Sequence, residues 1–574
     1  MTSIRNLVPE SQAGYDSRTV VTVPRDAQHQ SEIPDELLQA LKMNVVTRQV
    51  AAGFALLDSQ RELLESLEPR ERNAASLAGY VAQWVDIGYS DPEVLEKLLS
   101  RFPPQVRGQL PVSGYLHLRM AEGLLALLRD HTDAALRHFD FVLSLPDEIQ
   151  EQELLSIAHF WNARCHRRKG EYDEALKQCA RGYELAQTAG WPRMAAVMQV
   201  LEAWLMFQKG NRRAASQILD KAEAVLRQTD DDITLGNIYS AHGRMIRRQG
   251  SYKDSLRFFS KAIDHFRKRN PQHRNLARSL ANIGYVQRLI AREISKEIDA
   301  AAERRRKSQA KGKTAAVRGR KEDHWSEYEQ VRATAFANLE QAEKIYRHHN
   351  HHHGIGNVKE NRGLLYLDIG DLDNASEQAG EAYQLGKEEN DSILMARARL
   401  LQCEVENARL EEEIEGSSHS WEHVQAARDY AREAVEAAKH TQYQRLLARA
   451  YIWRGLTACH PAINDKEDAR HCCERAESFL KTVQYDDLWQ ELQDLKQKVL
   501  PRGSIDPRLR AWSAGETDGK TFQELAEQFA EVVISRVWEK EGKKVSRVAK
   551  KLSVSPKKVR RILALAGKAK KKKS

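Results

Sequence analysis

Small residues recur every 40 residues along part of this chain. Gly123, Ala163, Ala203 and Gly243 follow one another at that interval, and Gly284 comes 41 residues later. A unit of this length is too short to bury an apolar face alone, so successive units must stack on one another. The spacing therefore constrains the chain to a repeat array.

A second set of small residues accompanies the first. Ala135, Ala175, Ala215 and Ser255 each follow a member of the first set by twelve residues. Small side chains at fixed positions of two consecutive helices let those helices pack closely together. The pattern resembles the tetratricopeptide repeat, in a long variant with about six residues beyond the usual period of 34. The resemblance implies an all-α fold, a right-handed α-solenoid.

Composition and helical periodicity divide the chain into successive parts. The solenoid is predicted to contain eight or nine helix pairs and two insertions. Helices predicted at Asp35–Leu67, Asn73–Ile87 and Pro92–Phe102 would cap its N-terminal end. The predicted parts are a disordered or extended segment (1–34), a helical cap (35–111), the solenoid (112–500, with a basic insertion at about 296–325 and a short insertion at about 411–420), a linker rich in Gly, Pro and Ser (501–519), a C-terminal helical domain (520–567) and a basic tail (568–574).

Positive charge is concentrated at the C-terminal end. Residues 540–574 contain fifteen Lys or Arg and a single acid, Glu541, whereas the whole chain carries a net charge of +9. The rest of the chain is therefore net acidic. A concentrated basic segment favours contact with nucleic-acid phosphates, because neutralising phosphates releases their counterions.

The same segment has the pattern of two short helices. Ser546 and Ser555 are each placed to cap a helix, and Pro556 occupies the first position of the second helix. Three residues, Leu552 to Val554, remain for the turn. A tight helix pair with a basic second helix is the arrangement that places side chains in a DNA major groove.

These residues resemble the Fis-type helix-turn-helix at the C-terminus of many bacterial regulators. The preceding helix is predicted at Thr521–Lys540, Ala549 lies in the first helix of the pair, and Ser553 replaces the usual turn Gly, which makes a left-handed backbone there costlier. The resemblance implies duplex DNA as a partner, a possible homodimer and a bacterial source. The implied DNA-binding residues are Ser546, Arg547, Lys550, Lys551, Ser555, Lys557, Lys558, Arg560 and Arg561.

A second basic segment falls inside the first insertion. Nine basic residues and one acid, Glu303, lie within residues 303–321. Their sign matches that of the C-terminal segment, which favours a second nucleic-acid contact. A solvated loop is the alternative, because charge runs without aromatic residues are usually solvated. The candidate residues are Arg304, Arg305, Arg306, Lys307, Lys311, Lys313, Arg318, Arg320 and Lys321.

A superhelix of repeats offers a concave groove lined by the first helices of successive pairs. Six residues lie on or just before such helices and could bind a peptide backbone, with ordinary packing as the alternative. The sequence therefore predicts a protein or peptide partner in the groove. The six candidates are Asn237, Tyr239, Asn282, Tyr285, Asn357 and Asn361.

The sequence lacks the common catalytic motifs. It contains no Gly-x-Ser-x-Gly, no His-Glu-x-x-His and no Gly-x-Gly-x-x-Gly after a strand pattern. We therefore expect no enzymatic activity and no cofactor. The six Cys show no metal or disulfide spacing. The histidine-rich run His348–His353 has no carboxylate or Cys at ligand spacing, so no metal site is predicted.

No stretch approaches the 18 apolar residues of a membrane span, and the N-terminus lacks a signal-peptide pattern. We expect a cytoplasmic protein that associates with the nucleoid when bound to DNA, and no membrane partner. The sequence predicts a DNA-binding transcriptional regulator with a partner-binding solenoid. The alternative is a non-enzymatic scaffold or adaptor whose basic tail binds nucleic acid or acidic partners without sequence specificity.

Overall fold

The computed structural model describes residues 33–145, 151–309, 319–412, 419–481, 488–499, 507–513, 515, 517 and 519–571. Every regular element in these residues is a helix, and no strand occurs among them. None of the described helices is long and apolar enough to span a membrane. The chain forms two compact units, Met1–Leu492 and Gln493–Ser574.

The first helices of the chain are shorter than the sequence predicts. The helix predicted at Asp35–Leu67 is interrupted at Arg48, whose left-handed backbone (φ 56°) ends the first segment. The Arg48 side chain bonds to Asp231, 183 residues away, a contact that no local pattern reveals. A second break follows at Gln60. The helices are α1 (Asp35–Thr47), α2 (Val50–Ser59), α3 (Arg61–Glu65), α4 (Ala74–Ile87), α5 (Pro92–Ser100) and α6 (Pro104–Arg107).

Eight helix pairs follow in the described residues, and each helix packs against its neighbours in sequence. The predicted all-α solenoid of tetratricopeptide-like pairs is confirmed. The pairs are α7 (Val112–Leu128) with α8 (Thr132–Leu143), α9 (Gln152–Lys169) with α10 (Tyr172–Thr188), α11 (Pro192–Gln208) with α12 (Arg212–Leu226), α13 (Asp232–Arg247) with α14 (Tyr252–Arg269), α15 (Arg274–Gln309) with α16 (Gly319–His348), α17 (His352–Asp368) with α18 (Leu372–Glu388), α19 (Ser392–Glu412) with α20 (His419–Lys439), and α21 (Gln444–Ala458) with α22 (Lys466–Leu480).

The small residues of the repeat lie where the two helices of a pair cross. A Cβ atom added to Gly123 would lie 2.5 Å from the Phe139 ring, and one added to Gly243 would lie 2.9 Å from the Phe259 ring. Ala215 is fully buried. Larger side chains at these positions would force the helices apart. The repeat pattern therefore fixes the packing within each pair.

Both insertions lengthen the flanking helices. The α15 helix has 36 residues and α16 has 30, against 16 for α13 and 18 for α14. The first insertion is therefore helical in its described part, because Ala, Glu, Lys and Arg favour helix. The α19 and α20 helices, with 21 residues each, flank the second insertion. Residues 310–318 and 413–418 lie outside the described residues, as do residues 1–32, which hold almost all of the predicted N-terminal segment.

Turns that are far apart in sequence meet inside the first unit. The Gln442 backbone N–H donates to the Gly170 carbonyl oxygen over 2.9 Å. The His353 backbone N–H donates to Asp130 Oδ2, also over 2.9 Å. These bonds join early turns of the solenoid to late ones and enclose the space between the first helices of the pairs.

The segment predicted as a linker contains a short helix. Arg508, on that helix, lies 3.3 Å from Glu531. The prediction from Gly, Pro and Ser content missed this helix because its residues pair with a later part of the chain. The remaining helices are α23 (Leu488–Val499), α24 (Pro507–Ser513), α25 (Phe522–Lys540), α26 (Val545–Lys551) and α27 (Pro556–Lys571).

The last three helices pack around a small apolar cluster of Ile534, Val548, Ala549, Val559 and Ile562. The Thr521 side chain caps α25, and, as predicted, the Ser555 hydroxyl caps α27 by accepting a bond from the Lys558 N–H over 3.2 Å. Ser546 was predicted to cap the next helix, which is wrong. The α26 helix begins at Val545, so its N-cap is Lys544, which follows the left-handed residue Lys543.

Two features of the last helix pair differ from what the local sequence predicts. Ser553 adopts a left-handed backbone (φ 52°) in the turn between α26 and α27, although it carries a side chain. The α27 helix continues to Lys571, so the predicted basic tail (568–574) is helical up to that residue. Ala, Leu and Lys are good helix formers, which explains the extension. Residues 572–574 are outside the described residues.

Candidate ligand cavity and DNA-binding face

A cavity of about 420 Å³ lies inside the first unit. Its walls come mainly from the first helices of successive pairs, from α9 to α21, with contributions from α1 and α4. Pockets of about 300–1,000 Å³ are typical of ligand sites. The enclosed space is therefore large enough to hold a ligand or a short segment of a partner.

Arginine dominates the polar lining of this cavity. Twelve arginines line it, against two acidic residues, Asp86 and Glu360, and no lysine among the described residues. The first unit is net acidic by sequence, so the positive cavity reverses the sign of its surroundings. The lining arginines are Arg48, Arg164, Arg167, Arg168, Arg244, Arg247, Arg248, Arg274, Arg278, Arg397, Arg445 and Arg449.

Five of these arginines are neutralised by carboxylates. The acids come from both inside and outside the cavity lining, and both acids of the lining are used in this way. Of these two acids, Asp86 also attracts the Arg274 guanidinium but forms no ion pair with it. The pairs are Arg48–Asp231 (2.6 Å), Arg164–Asp86 (2.6 Å), Arg168–Asp130, Arg397–Glu360 (2.5 Å) and Arg449–Glu404 (2.7 Å).

Five others form no ion pair with any described residue. Two of them donate to side-chain amides: Arg278 bonds to Asn237 over 2.6 Å, and Arg247 bonds to Asn282 over 3.3 Å. In the described part of the chain, Nη1 of Arg274 and Nε of Arg278 have no hydrogen-bond partner. We call this set the unpaired arginines; it comprises Arg167, Arg244, Arg247, Arg274 and Arg278.

The unpaired arginines repel one another. Burial and neighbouring guanidiniums lower the pKa of Arg244 and Arg274 well below the usual range, and they lower the pKa of Arg167 to about 9. A guanidinium nevertheless stays charged at neutral pH. The lowered values therefore express the cost of burying several cations close together, which the Asp86 carboxylate only partly offsets at Arg274.

Aromatic rings hold the guanidinium planes in place. Two guanidiniums lie over the Trp204 ring, that of Arg167 at 5.1 Å from its centroid and that of Arg244 at 5.8 Å. The Arg247 guanidinium lies 4.7 Å from the centroid of Tyr285. Such contacts stabilise a desolvated cation by about 0.5–2 kcal/mol without removing its charge. The rings therefore orient the cations and leave their remaining hydrogen-bond donors for a ligand.

Two amide side chains in the lining have buried polar atoms without a hydrogen-bond partner among the described residues. Gln83 is 2% exposed, and neither its Oε1 nor its Nε2 has a hydrogen bond among the described residues. Asn361 is 4% exposed; its Nδ2 donates to Asn357, but its Oδ1 accepts no bond from them. We call Gln83 and Asn361 the unpaired amides. Buried polar atoms without partners are costly and point to a missing partner.

The structure places most of the predicted groove residues at this cavity. Tyr239 is the exception, because its ring stacks on His265 at 5.3 Å and does not line the cavity. The other five residues do line it, but Asn237 and Asn282 use their carbonyl oxygens to bond arginines. The lining members of the predicted set are Asn237, Asn282, Tyr285, Asn357 and Asn361.

The histidine-rich run His348–His353 contacts carboxylates from two other turns of the solenoid. His352 Nδ1 lies 2.9 Å from Asp130 Oδ2, and His353 Nδ1 lies 2.5 Å from Asp391 Oδ2. Burial alone would raise the pKa of Asp391, but His353 outweighs this effect and the pKa falls to about 2. The Asp391 carboxylate is therefore charged at neutral pH and anchors the turn.

In the part of the chain that the structure describes, two groups of side chains are compact enough to hold a metal ion. One combines His348 and His349 from the run with Asp91. The other combines Asp220, Glu223 and His242. Exposed acidic groups commonly cluster in this way without an ion, so the groups carry no functional conclusion.

The basic insertion is only partly described. Arg304 is exposed near the end of α15. Arg305, Arg306 and Lys307 continue that helix, and Arg320 and Lys321 lie at the start of α16, but their side-chain positions are not described. Lys311, Lys313 and Arg318 lie outside the described residues. The second nucleic-acid contact therefore stays a prediction.

The predicted DNA-binding residues are all exposed on helices or turns of the second unit. Val559 is fully buried and Ile562 is 4% exposed, which turns the opposite side of α27 outward. Lys551 pairs with Glu541. All nine predicted residues are exposed: Ser546, Arg547, Lys550, Lys551, Ser555, Lys557, Lys558, Arg560 and Arg561. We call Lys557, Lys558, Arg560 and Arg561 the basic face of α27.

Sequence reasoning missed the arginines of the cavity. Their signal is weak but present, because they keep a register relative to the small residues of the repeat. Arg164 and Arg244 each follow the small residue of their helix by one position, and Arg167 and Arg247 each follow it by four. The signal was hidden because each helix also carries other charged residues on its solvated face.

Comparison with protein-family models finds no match for this chain, and comparison with curated proteins finds none either. Solved structures share only its helical architecture. A Rap protein complexed with competence and sporulation factor has a TM-score of 0.49 at 13% identity, covering 70% of this chain and 97% of that chain. The apo quorum sensor NprR from B. thuringiensis has a TM-score of 0.44 at 13% identity, with the same coverage.

A monomeric IFIT1 mutant with Gppp-AAAA has a TM-score of 0.42 at 12% identity, covering 81% of this chain and 89% of that chain. These likenesses are too weak to carry an argument about ligands or partners. The fold and the sites described above rest on the contacts of this chain alone.

Proposed function

We propose that this protein is a DNA-binding transcriptional regulator whose solenoid cavity binds a protein or peptide partner. The observation that carries the proposal is the basic face of α27, exposed on a helix whose other side is buried against α25 and α26. A basic helix presented in this way by a tight helix pair can enter a major groove.

The two kinds of cation on α27 have separate roles in this proposal. Lys557 and Lys558 lie in the first turn of the helix, where they attract phosphate without reading sequence. Arg560 and Arg561 lie further along and can form paired hydrogen bonds with the edge of a guanine. Reading of base edges distinguishes a regulator from an adaptor that merely binds nucleic acid.

A homodimer fits the exposed apolar residues of α25. Phe522 is 87% exposed and Phe529 is 52% exposed, one above the other on one side of that helix. We propose a second copy of the chain as the occupant of this surface, because two recognition helices read twice the sequence of one. Changing both residues to Ser should shift sedimentation from dimer to monomer. A monomeric unchanged protein at micromolar concentration would contradict the homodimer.

The test of DNA binding uses the full chain and a pool of genomic fragments. Replacing all four residues of the basic face by Ala should weaken binding by about 100-fold or more, because base and phosphate contacts are lost together. The control changes four exposed lysines of the solenoid to Ala and should alter binding by less than about threefold. These lysines are Lys177, Lys221, Lys253 and Lys344.

The outcome also separates the regulator from the adaptor. A regulator enriches a limited set of fragments, and the basic-face variant loses that enrichment. Unchanged affinity in the basic-face variant would contradict the proposed site. Equal affinity of the unchanged protein for every fragment would favour the scaffold or adaptor instead.

A further inference from the structure

We infer that the occupant of the cavity is an acidic peptide segment. Its carboxylates pair with the unpaired arginines, and its backbone bonds to the unpaired amides. The inference rests on the partner-binding part of the proposed function and does not depend on DNA binding. It specifies the partner by its charge, which the repeat pattern alone leaves open.

The charge of the cavity selects an anion. Both acids of the lining, Asp86 and Glu360, are already paired with arginines, and the unpaired arginines have no carboxylate partner among the described residues. The cavity of about 420 Å³ therefore contains five cations without an ion pair. A ligand with several negative charges would neutralise them. An anion that enters gains charge-assisted hydrogen bonds and also relieves the repulsion between the guanidiniums.

The unpaired amides distinguish a peptide from a phosphate compound. Oε1 of Gln83 and Oδ1 of Asn361 are acceptors, so each needs a donor from the ligand. Linked phosphates offer acceptors and would leave these oxygens unsatisfied. A peptide backbone offers both N–H donors and carbonyl acceptors, and the latter also suit Nε2 of Gln83.

The apolar part of the lining agrees with a peptide. Leu201, Val197 and Ile393 lie among the arginines and can contact the apolar parts of side chains. The Trp204 and Tyr285 rings already hold guanidiniums, which would compete with the stacking of a nucleobase. The cavity therefore combines cations, amides and aliphatic groups, as an acidic peptide with some apolar residues requires.

Without a ligand, the unpaired arginines lower the stability of the folded protein. Arg274 illustrates this cost, because it has no ion pair among the described residues and its Nη1 has no hydrogen bond among them. Replacing such a residue should not destabilise the unoccupied protein. A residue whose role was only structural would do the opposite. The sign of the stability change therefore separates binding from packing.

The experiment selects binders from a library of random heptapeptides. The target is the full chain with the basic face of α27 changed to Ala, which removes the exposed cations as a competing site. Selected peptides should be enriched in Asp and Glu. Changing these acids to Asn and Gln in the best binder should weaken its affinity by about 10–100-fold. Inorganic tripolyphosphate at the same ionic strength should bind more weakly than the selected peptide.

Matched variants assign the binding to the cavity. Arg244→Gln with Arg274→Gln should weaken the selected peptide by about 100-fold and should leave the melting temperature of the unoccupied protein equal or higher. The control, Arg257→Gln with Arg432→Gln, changes two exposed arginines in surface pairs and should leave the affinity within about threefold.

Four results would overturn the inference. They are a selection without acidic enrichment, a selection that yields no binder, tighter binding of tripolyphosphate than of any peptide, and equal peptide affinity in the cavity variant and its control. None of these results depends on the binding of genomic DNA fragments. Failure of the acidic-peptide inference and failure of DNA binding are therefore distinguishable.

Discussion

The cavity and the basic face of α27 are both positive, yet they are built differently. The cavity is lined by arginines, with no lysine among the described residues, whereas the face mixes Lys557 and Lys558 with Arg560 and Arg561. Arginine is weakly hydrated and presents a rigid fork of donors, while lysine is strongly hydrated. The cavity therefore suits a desolvated ligand in a fixed position, and the face suits the hydrated backbone of a nucleic acid.

The two regions also differ in how the sequence encodes them. The basic face comes from one run of residues, so a local count of charge reveals it. The cavity gathers arginines from α9, α13, α15, α19 and α21, each of which looks ordinary alone. Charge that converges only in space is invisible to composition, and here it has the opposite sign to the net charge of the first unit.

The largest expected effect is a loss of stability on changing Asp130. Its contacts hold together two turns of the solenoid beside the cavity. Its side chain is 1% exposed, pairs with Arg168 and lies 2.9 Å from His352. Asp130→Asn should lower the free energy of unfolding by about 3–5 kcal/mol, because it leaves a buried arginine without its partner. Urea unfolding measures the change.

A neighbouring carboxylate provides the control for Asp130. Asp133 is 56% exposed and pairs with Lys169 at the surface, so Asp133→Asn should change the unfolding free energy by less than about 1 kcal/mol. DNA affinity at 20 °C should be the same for both variants. Equal stability of the two variants would show that the turn contacts do not hold the cavity closed.

The next largest effect concerns salt. Ligand affinity should depend on salt concentration more steeply at the basic face of α27 than in the cavity. With about four phosphate contacts, DNA affinity should fall by about 100-fold between 50 and 200 mM salt. Binding of a selected acidic peptide in the cavity should fall by less than about tenfold, since buried charges are screened less. Parallel slopes for the two ligands would mean that both bind an exposed surface.

Base reading by the face is expected to have a smaller effect. Arg560→Ala or Arg561→Ala should cost about 1–3 kcal/mol at the preferred site and much less on random DNA. Deleting Lys570–Lys573 should weaken both kinds of binding about equally, because these residues can add only attraction to phosphate. Anisotropy titrations with a selected and a scrambled duplex measure the difference. Equal losses on both duplexes for each Arg variant would favour the adaptor.

The smallest predicted effect concerns pH and His273 in the cavity wall. Burial and the nearby Arg274 lower the pKa of His273 to about 3. The folded protein therefore keeps this ring neutral, while the unfolded chain takes up a proton below about pH 6.5. Stability should fall as pH falls through this window, by about 1 kcal/mol between pH 6.5 and 5.5. His273→Gln should lack this contribution, and equal pH slopes for the two proteins in urea titrations would contradict the prediction.

The helical repeat could be predicted because its cause is local. Gly123 and Gly243 meet the rings of Phe139 and Phe259 within their own pairs, so the close crossing is recorded at a fixed spacing. The Ser555 cap is equally local, since donor and acceptor are three residues apart. Features of this kind follow from helix geometry and need no knowledge of the rest of the chain.

The features that the sequence did not reveal depend on distant contacts. Arg48 breaks a helical pattern in order to reach Asp231, and α24 lies in a stretch that reads as a linker. Tyr239 occupies a plausible groove position but stacks on His265. The five unpaired arginines come together only because the turns of the solenoid close around them, and no local pattern records that closure.

The most direct test of the account joins its two regions in one titration. DNA affinity of the full chain is measured with and without a saturating selected acidic peptide, and again in Arg244→Gln with Arg274→Gln. The account predicts a change of about 5–150-fold in the unchanged protein, with a reciprocal change in peptide affinity, and none in the cavity variant. Equal DNA affinity with and without bound peptide would contradict it, and the solenoid would not regulate the basic face.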